Sequence, residues 1–131
     1  MKVVALDYGA ARTGVAASDP GGTLARPVGV VERVGSDAGF GRLLELVRAE
    51  APARVVVGLP LTLRGERGRQ AQETARFVEK LRRAVDIPVE SYDERFTTGL
   101  AARAGGRADE DARAAAHLLA SYLEWSSGRQ P

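Results

Sequence analysis

The sequence predicts a mixed α/β fold: a five-stranded sheet with helices on both faces, in the order βββαβαβα. Three observations predict it. The first third of the chain reads as apolar strands separated by glycine turns. From residue 37 the apolar spacing lengthens to that of a helix. Beyond that point short apolar runs and amphipathic helices take turns. Strands joined by crossover helices must run parallel to one another, so three antiparallel strands are followed by parallel ones.

Residues 2–7 form the first strand, an apolar run closed by Asp7. Residues 8–14 are a turn containing Gly9 and Gly14, and residues 15–18 return as the second strand. Asp19-Pro20-Gly21-Gly22 turns the chain again, and residues 24–34 make the third strand, with Val28, Val30 and Val34 in period two. Phe40, Leu43, Leu44 and Val47 fall at i, i+3, i+4 and i+7, which places a helix over 37–50 that stops before Pro52. Residues 54–58 are a buried strand. Ala71, Thr74, Ala75, Val78 and Leu81 mark a helix over about 67–84, and residues 88–93 a fifth strand. A short helix is expected from Thr97 to Ala104. The last helix starts near Asp109 and carries Ala112, Ala115, Ala116, Leu119, Tyr122 and Leu123 on one face.

A chain of 131 residues that is 44% hydrophobic fits one domain, expected over residues 1–125, with residues 126–131 as a disordered tail. A chain of this length buries about two-thirds of its unfolded surface, so no disulfide or structural metal is needed to hold it. There is no cysteine. That removes thiolate metal sites, redox motifs and disulfide frameworks, and agrees with a cytoplasmic location. The first apolar run is too short for a signal peptide, and no stretch approaches the ~18 apolar residues of a membrane span, so no membrane partner is expected. The net charge of +2 says little about partners. Of the 19 basic residues only Lys2 and Lys80 are lysines, and the planar fork of arginine suits phosphate.

Three acids stand out because each closes or opens an element. Asp7 ends the first strand, which should be central. Glu94 follows the fifth strand, in phase with Glu90 and Tyr92. Asp111 lies in the first turn of the last helix, on a stripe with Ala115, Leu118 and Tyr122, while Asp109 and Glu110 point elsewhere. Each has a plain structural explanation: turn chemistry, a solvated loop, and a favourable charge at a helix start. If the fold brings them together, they make an all-oxygen pocket that suits Mg²⁺ or Mn²⁺ rather than zinc. Two such ions about 4 Å apart promote phosphodiester hydrolysis. Gly9 and Gly14 are expected to let backbone approach a ligand closely. Two glycine-rich segments could contact phosphate: Gly58 to Arg69, with Arg64, Arg67 and Arg69, and Ala102 to Arg107, with Arg103 and Arg107. His117, the one histidine, sits off the core face and is not expected to be catalytic.

Four blocks resemble the RuvX/YqgF family, whose members are described as Holliday-junction resolvase-like and as nucleases that mature the 5′ end of precursor 16S rRNA. They are residues 5–19; Val56-Val57-Gly58-Leu59-Pro60-Leu61; Asp93-Glu94-Arg95-Phe96-Thr97-Thr98; and Asp111 followed by Ala114-Ala115 and Leu119-Ala120-Ser121-Tyr122-Leu123. They span nearly the whole chain in the family's order. The resemblance implies an RNase H-like fold and catalytic, metal-binding acids at Asp7, Glu94 and Asp111. It also implies supporting roles around the substrate for Arg12, Arg95 and Thr98. RuvC-type resolvases place an acid after the fourth strand. Here Gly58-Leu59-Pro60 occupies that position, so Glu94 stands in from the fifth. The segment from Ala101 to Asp109 is short and lacks lysine compared with many members.

The leading expectation is therefore a metal-dependent endonuclease acting on structured nucleic acid, either precursor rRNA or branched DNA. A resolvase, which cuts two strands symmetrically, requires a two-fold dimer; an rRNA nuclease works equally as a monomer. Two alternatives stand beside it: a nucleic-acid-binding module without catalysis, and a nucleotide-binding domain whose Asp7-Tyr8-Gly9 hairpin holds phosphates. A single domain argues against the second, because proteins of that kind clamp ATP between two.

Overall fold

The structure, a computed structural model, describes residues 1–59, 68–93 and 108–129. Its elements are β1 (Val3–Asp7), β2 (Arg12–Ser18), β3 (Ala25–Glu32), α1 (Asp37–Glu50), β4 (Arg54–Leu59), α2 (Arg69–Ala84), β5 (Val89–Asp93) and α3 (Ala108–Arg129). The order is the expected βββαβαβα. The helix expected over 97–104 lies outside the described residues.

The five strands form one sheet in the order β3-β2-β1-β4-β5, with β1 in the centre. β1 pairs antiparallel with β2 and parallel with β4, β2 pairs antiparallel with β3, and β4 pairs parallel with β5. β1 must be apolar on both sides because it is covered on both faces. Val3, Val4, Ala5 and Leu6 are all at most 1% exposed.

Strand alternation divides the core into two halves. Val4, Leu6, Val15, Ala17, Val55 and Val57 pack with Phe40, Leu43 and Val47 of α1 and Phe77, Val78 and Leu81 of α2. Val3, Ala5, Ala16, Val56 and Tyr92 pack with Ala115, Leu118, Leu119, Tyr122 and Leu123 of α3. Helices therefore lie on both faces. On the α3 face Ala5, Ala16 and Gly14 lie against a helix whose Ala112 and Ala115 are buried. Small residues let α3 approach the sheet closely.

α3 runs antiparallel to β1. Its first turn lies over Gly14, near the C-terminal end of β1. Its later turns reach the opposite end of the sheet, where the Tyr122 hydroxyl donates to Glu90 and accepts from Arg54 Nη1 at 2.8 Å. Arg54 stands beside Val3, at the start of β1. Ser36 caps α1, its Oγ accepting from the Gly39 amide at 3.0 Å. α1 ends at Ala51, whose left-handed φ of 47° turns the chain into Pro52.

The two largest boundary differences are in β2 and α3; β3 also ends at Glu32 rather than residue 34, where Arg33 takes a left-handed φ of 50°. β2 begins at Arg12 rather than residue 15, because Arg12, Thr13 and Gly14 pair with Glu32, Val31 and Val30 on β3, and Gly14 also pairs with Asp7 on β1. α3 continues to Arg129, so residues 126–129, expected as tail, are helical. Adding a residue to an existing helix gains a hydrogen bond without a new nucleation cost, and Ser126 and Ser127 do not break that propagation. The first proline after α3 starts is Pro131.

Candidate active site

Asp7 has the strand parity of Val3 and Ala5, which pack on α3, so its carboxylate leaves the sheet on the α3 face. It is only 6% exposed. Burying a carboxylate in this way is costly unless it is paired or coordinates a cation. Opposite it, in register on β2, stands Gly14. Paired residues of antiparallel strands have Cα atoms about 5 Å apart.

Gly14 explains how the last helix reaches the first strand. A Cβ built at Gly14 would lie 2.0 Å from the Asp111 carbonyl oxygen and 2.6 Å from its carbonyl carbon. The backbone of Asp111 therefore rests directly on Gly14, one strand away from Asp7. Two acids 104 positions apart in sequence meet across a residue with no side chain. Gly9 serves the same end locally: a Cβ there would lie 2.4 Å from the Arg12 carbonyl oxygen, so the hairpin is closed on itself. The two glycines admit protein backbone, not ligand as expected from the sequence.

Arg12 begins β2 with the parity of Gly14. Its Nε lies 3.1 Å from Asp111 Oδ2, with the two side chains 34% and 17% exposed. Asp111 Oδ2 is inaccessible to water and accepts no hydrogen bond from a described residue. The Arg12 pair is thus a charge contact without hydrogen-bond alignment. Glu110 departs from expectation: its Oε2 is also inaccessible and accepts no hydrogen bond from a described residue. Helical phase alone turns Glu110 away. It sits one residue from Asp111 in the first turn, where neighbours beyond the helix decide burial.

Tyr8, which no sequence pattern singles out, takes the other face of the sheet. Its ring stacks on Phe77 of α2, centroids 4.7 Å apart, and Phe77 meets Phe40 edge-on at 6.3 Å. Burial, with the nearby charge of Glu73, raises the Tyr8 pKa above the ordinary tyrosine value. The apolar i, i+3, i+4 pattern of α2 is the signal for Phe77, but nothing local pairs it with Tyr8.

The structure thus brings together Asp7, Arg12 and Asp111. Arg69 stands apart at the start of α2, which packs on the opposite face; its side chain is 94% exposed and reaches Glu73 at 4.0 Å. Glu94, Arg64, Arg67, Arg95, Thr98, Arg103 and Arg107 lie outside the described residues. His117 is exposed, as expected.

The donors present fit a hard divalent cation. Asp7 and Asp111 offer carboxylate oxygens and no sulfur, and Asp111 Oδ2 is a buried acceptor without a donor among the described residues. Among the described residues no three acids or histidines converge closely enough to hold an ion. The residue expected to complete the set, Glu94, directly follows Asp93 at the end of β5.

A family model described as RuvX, Holliday junction resolvase, matches residues 1–125. Over 135 residues the chain is 44% identical to a protein of Rhodococcus opacus named "Putative pre-16S rRNA nuclease", covering 92% of this chain and 76% of that one. A protein of the same name from Chloroflexus aurantiacus is 38% identical over 131 residues, 93% of this chain and 86% of that one. Among solved structures, Thermus thermophilus RuvC superposes with a TM-score of 0.61 at 21% identity, covering 98% of this chain and 97% of that one. The same protein in complex with a Holliday junction substrate gives 0.63. At that identity the likeness is one of fold. The chain belongs to the RuvX family, a family of nucleases built on the RNase H-like architecture.

Proposed function

We propose that this chain is a divalent-metal-dependent endonuclease that hydrolyses phosphodiester bonds in structured nucleic acid, its substrate being the 5′ end of precursor 16S rRNA. One observation carries the site: Gly14 seats the backbone of Asp111 beside the buried carboxylate of Asp7. Relatives at 38% and 44% identity named for pre-16S rRNA support the substrate. Among the described residues no helix is long and apolar enough to cross a membrane, and a cytoplasmic location belongs to the same proposal.

In this reading Asp7, Glu94 and Asp111 hold Mg²⁺ or Mn²⁺. Tyr92 packs against α3 and Glu90 accepts from Tyr122 of α3. Glu94 continues their parity, which supports placing its carboxylate on the face of Asp7. Bound there, a divalent ion would supply an activated water and would neutralise charge on the departing oxygen. The chain's own residues position and neutralise. Asp7 is fixed by the central strand and Asp111 by its backbone contact with Gly14. Arg12 presents a guanidinium beside Asp111, suited to a non-bridging phosphate oxygen. Arg64, Arg67, Arg95, Thr98, Arg103 and Arg107 grip flanking phosphates.

The description of the matching family favours a second reading: resolution of four-way DNA junctions by a homodimer. One experiment separates the readings. Wild type, Glu94→Gln and Asp111→Asn are incubated with a precursor 16S rRNA fragment and with a four-way DNA junction, in Mg²⁺, Mn²⁺ or chelator. Metal-dependent cleavage of the RNA by wild type, and loss of cleavage in both variants, is the expected result. Paired cuts in the junction alone establish the resolvase reading instead. Binding of both substrates without cleavage in either metal removes the nuclease reading.

A further inference from the structure

The contact between Arg12 and Asp111 differs from the other close arginine–carboxylate pairs of the described residues. Arg26 donates to Glu50 at 2.8 Å, Arg54 to Glu90 at 3.1 Å and Arg82 to Glu79 at 2.6 Å, each a formed hydrogen bond. Arg12 Nε lies just as close to Asp111 Oδ2, at 3.1 Å, yet Oδ2 accepts no hydrogen bond from a described residue. The two partners also differ in freedom. Asp111 is held by its backbone against Gly14. The backbone of Arg12 is held by the Gly9 turn and by its pairing with Glu32 on β3. Its guanidinium, on a long stem and a third exposed, is the part free to swing.

A divalent ion bound at Oδ2 would compete with the guanidinium that lies 3.1 Å from the same oxygen, since like charges a few ångströms apart repel. That competition favours an Arg12 side chain moved off Asp111 once the ion is bound. The displaced guanidinium stays at the rim of the site, still carrying its charge and its paired N–H donors. Resting on the nuclease reading above, we infer that Arg12 is an exchange residue: it holds Asp111 in the metal-free protein, yields it to the cation, and then takes a phosphate of the substrate. It is a positioning residue with two partners in succession. The cation and the phosphate thereby favour each other's binding, and such coupling is reciprocal.

The sign of one measurement tests this. Mn²⁺ binding, without nucleic acid, is followed by the electron paramagnetic resonance of the free ion for wild type, Arg12→Ala, Arg12→Lys, Asp111→Asn and Asp7→Asn. Removing the competitor makes Arg12→Ala bind Mn²⁺ about tenfold more tightly. Arg12→Lys keeps the charge and stays near wild type. Asp111→Asn and Asp7→Asn weaken binding. A merely structural arginine gives the opposite sign, because its loss loosens Asp111. Circular dichroism verifies folding, and Arg12→Gln replaces the alanine variant if that does not fold. Unchanged or weaker Mn²⁺ binding by Arg12→Ala, with both Asp variants still impaired, overturns the exchange and leaves the nuclease site standing. Wild type binding Mn²⁺ no better than Asp7→Asn and Asp111→Asn overturns the site itself, and the exchange with it.

Discussion

Asp7→Asn is expected to lower cleavage on the order of a thousandfold, the scale on which losing one preorganised electrostatic contact acts, while nucleic-acid binding stays near wild type. The side chain keeps its shape and loses its charge. That charge sits 6% exposed at the end of the central strand, one strand from the backbone of Asp111. Clustered carboxylates repel one another, and burying each is costly. Wild type should be stabilised by added Mg²⁺ or Mn²⁺, because a ligand that binds the native state shifts unfolding. The variant should respond less. Thermal unfolding with and without metal, alongside single-turnover cleavage, reads both effects. Full cleavage by Asp7→Asn would remove Asp7 from the site. A large fall in stability would make it a structural residue.

Gly14→Ala is expected to cost about 3 kcal/mol, at the upper end of overpacking effects. For a chain of this size that lowers the Tm by roughly 10 °C. The added methyl would meet the Asp111 carbonyl oxygen at 2.0 Å and the Ala112 amide nitrogen at 3.3 Å. Both are backbone atoms of α3, so no side chain can rotate away. The first turn of α3 must move instead, carrying Asp111 from Asp7. A displacement near 1 Å can cost a site about a hundredfold in rate. Activity should fall even below the melting transition, where the protein is still folded. By contrast, Gly29→Ala meets nothing within 4 Å and serves as the control. A Gly14→Ala protein with wild-type stability and rate contradicts the close packing on which the site depends.

Much of the fold is legible in the residues. Val3 to Leu6 have to be covered on both faces, and the spacing of Phe40, Leu43 and Val47 by itself names the buried side of α1. Asp111 stands out as the inward acid of its triplet because it shares a stripe with Ala115, Leu118 and Tyr122, all of which are buried. What local pattern does not carry is contact between distant elements. Gly14 reads as a turn residue, and its use is to admit a carbonyl from residue 111. Glu110 reads as outward by helical phase, yet one of its oxygens is enclosed by whatever packs against that turn. The stacking of Tyr8 on Phe77 joins a strand end to a helix nearly seventy residues away. The full length of α3 is hidden because serine and glycine suggest a tail, whereas a helix already packed along the sheet extends at little cost.

The central claim is that Asp7, Glu94 and Asp111 form one metal site. The most direct measurement is a crystal structure of the wild-type protein soaked in Mn²⁺, with anomalous scattering recorded at the manganese edge. The predicted result is a peak bonded to carboxylate oxygens of all three residues, with the Arg12 guanidinium moved off Asp111. A peak at other residues, or bound Mn²⁺ from which Glu94 is absent, would contradict it.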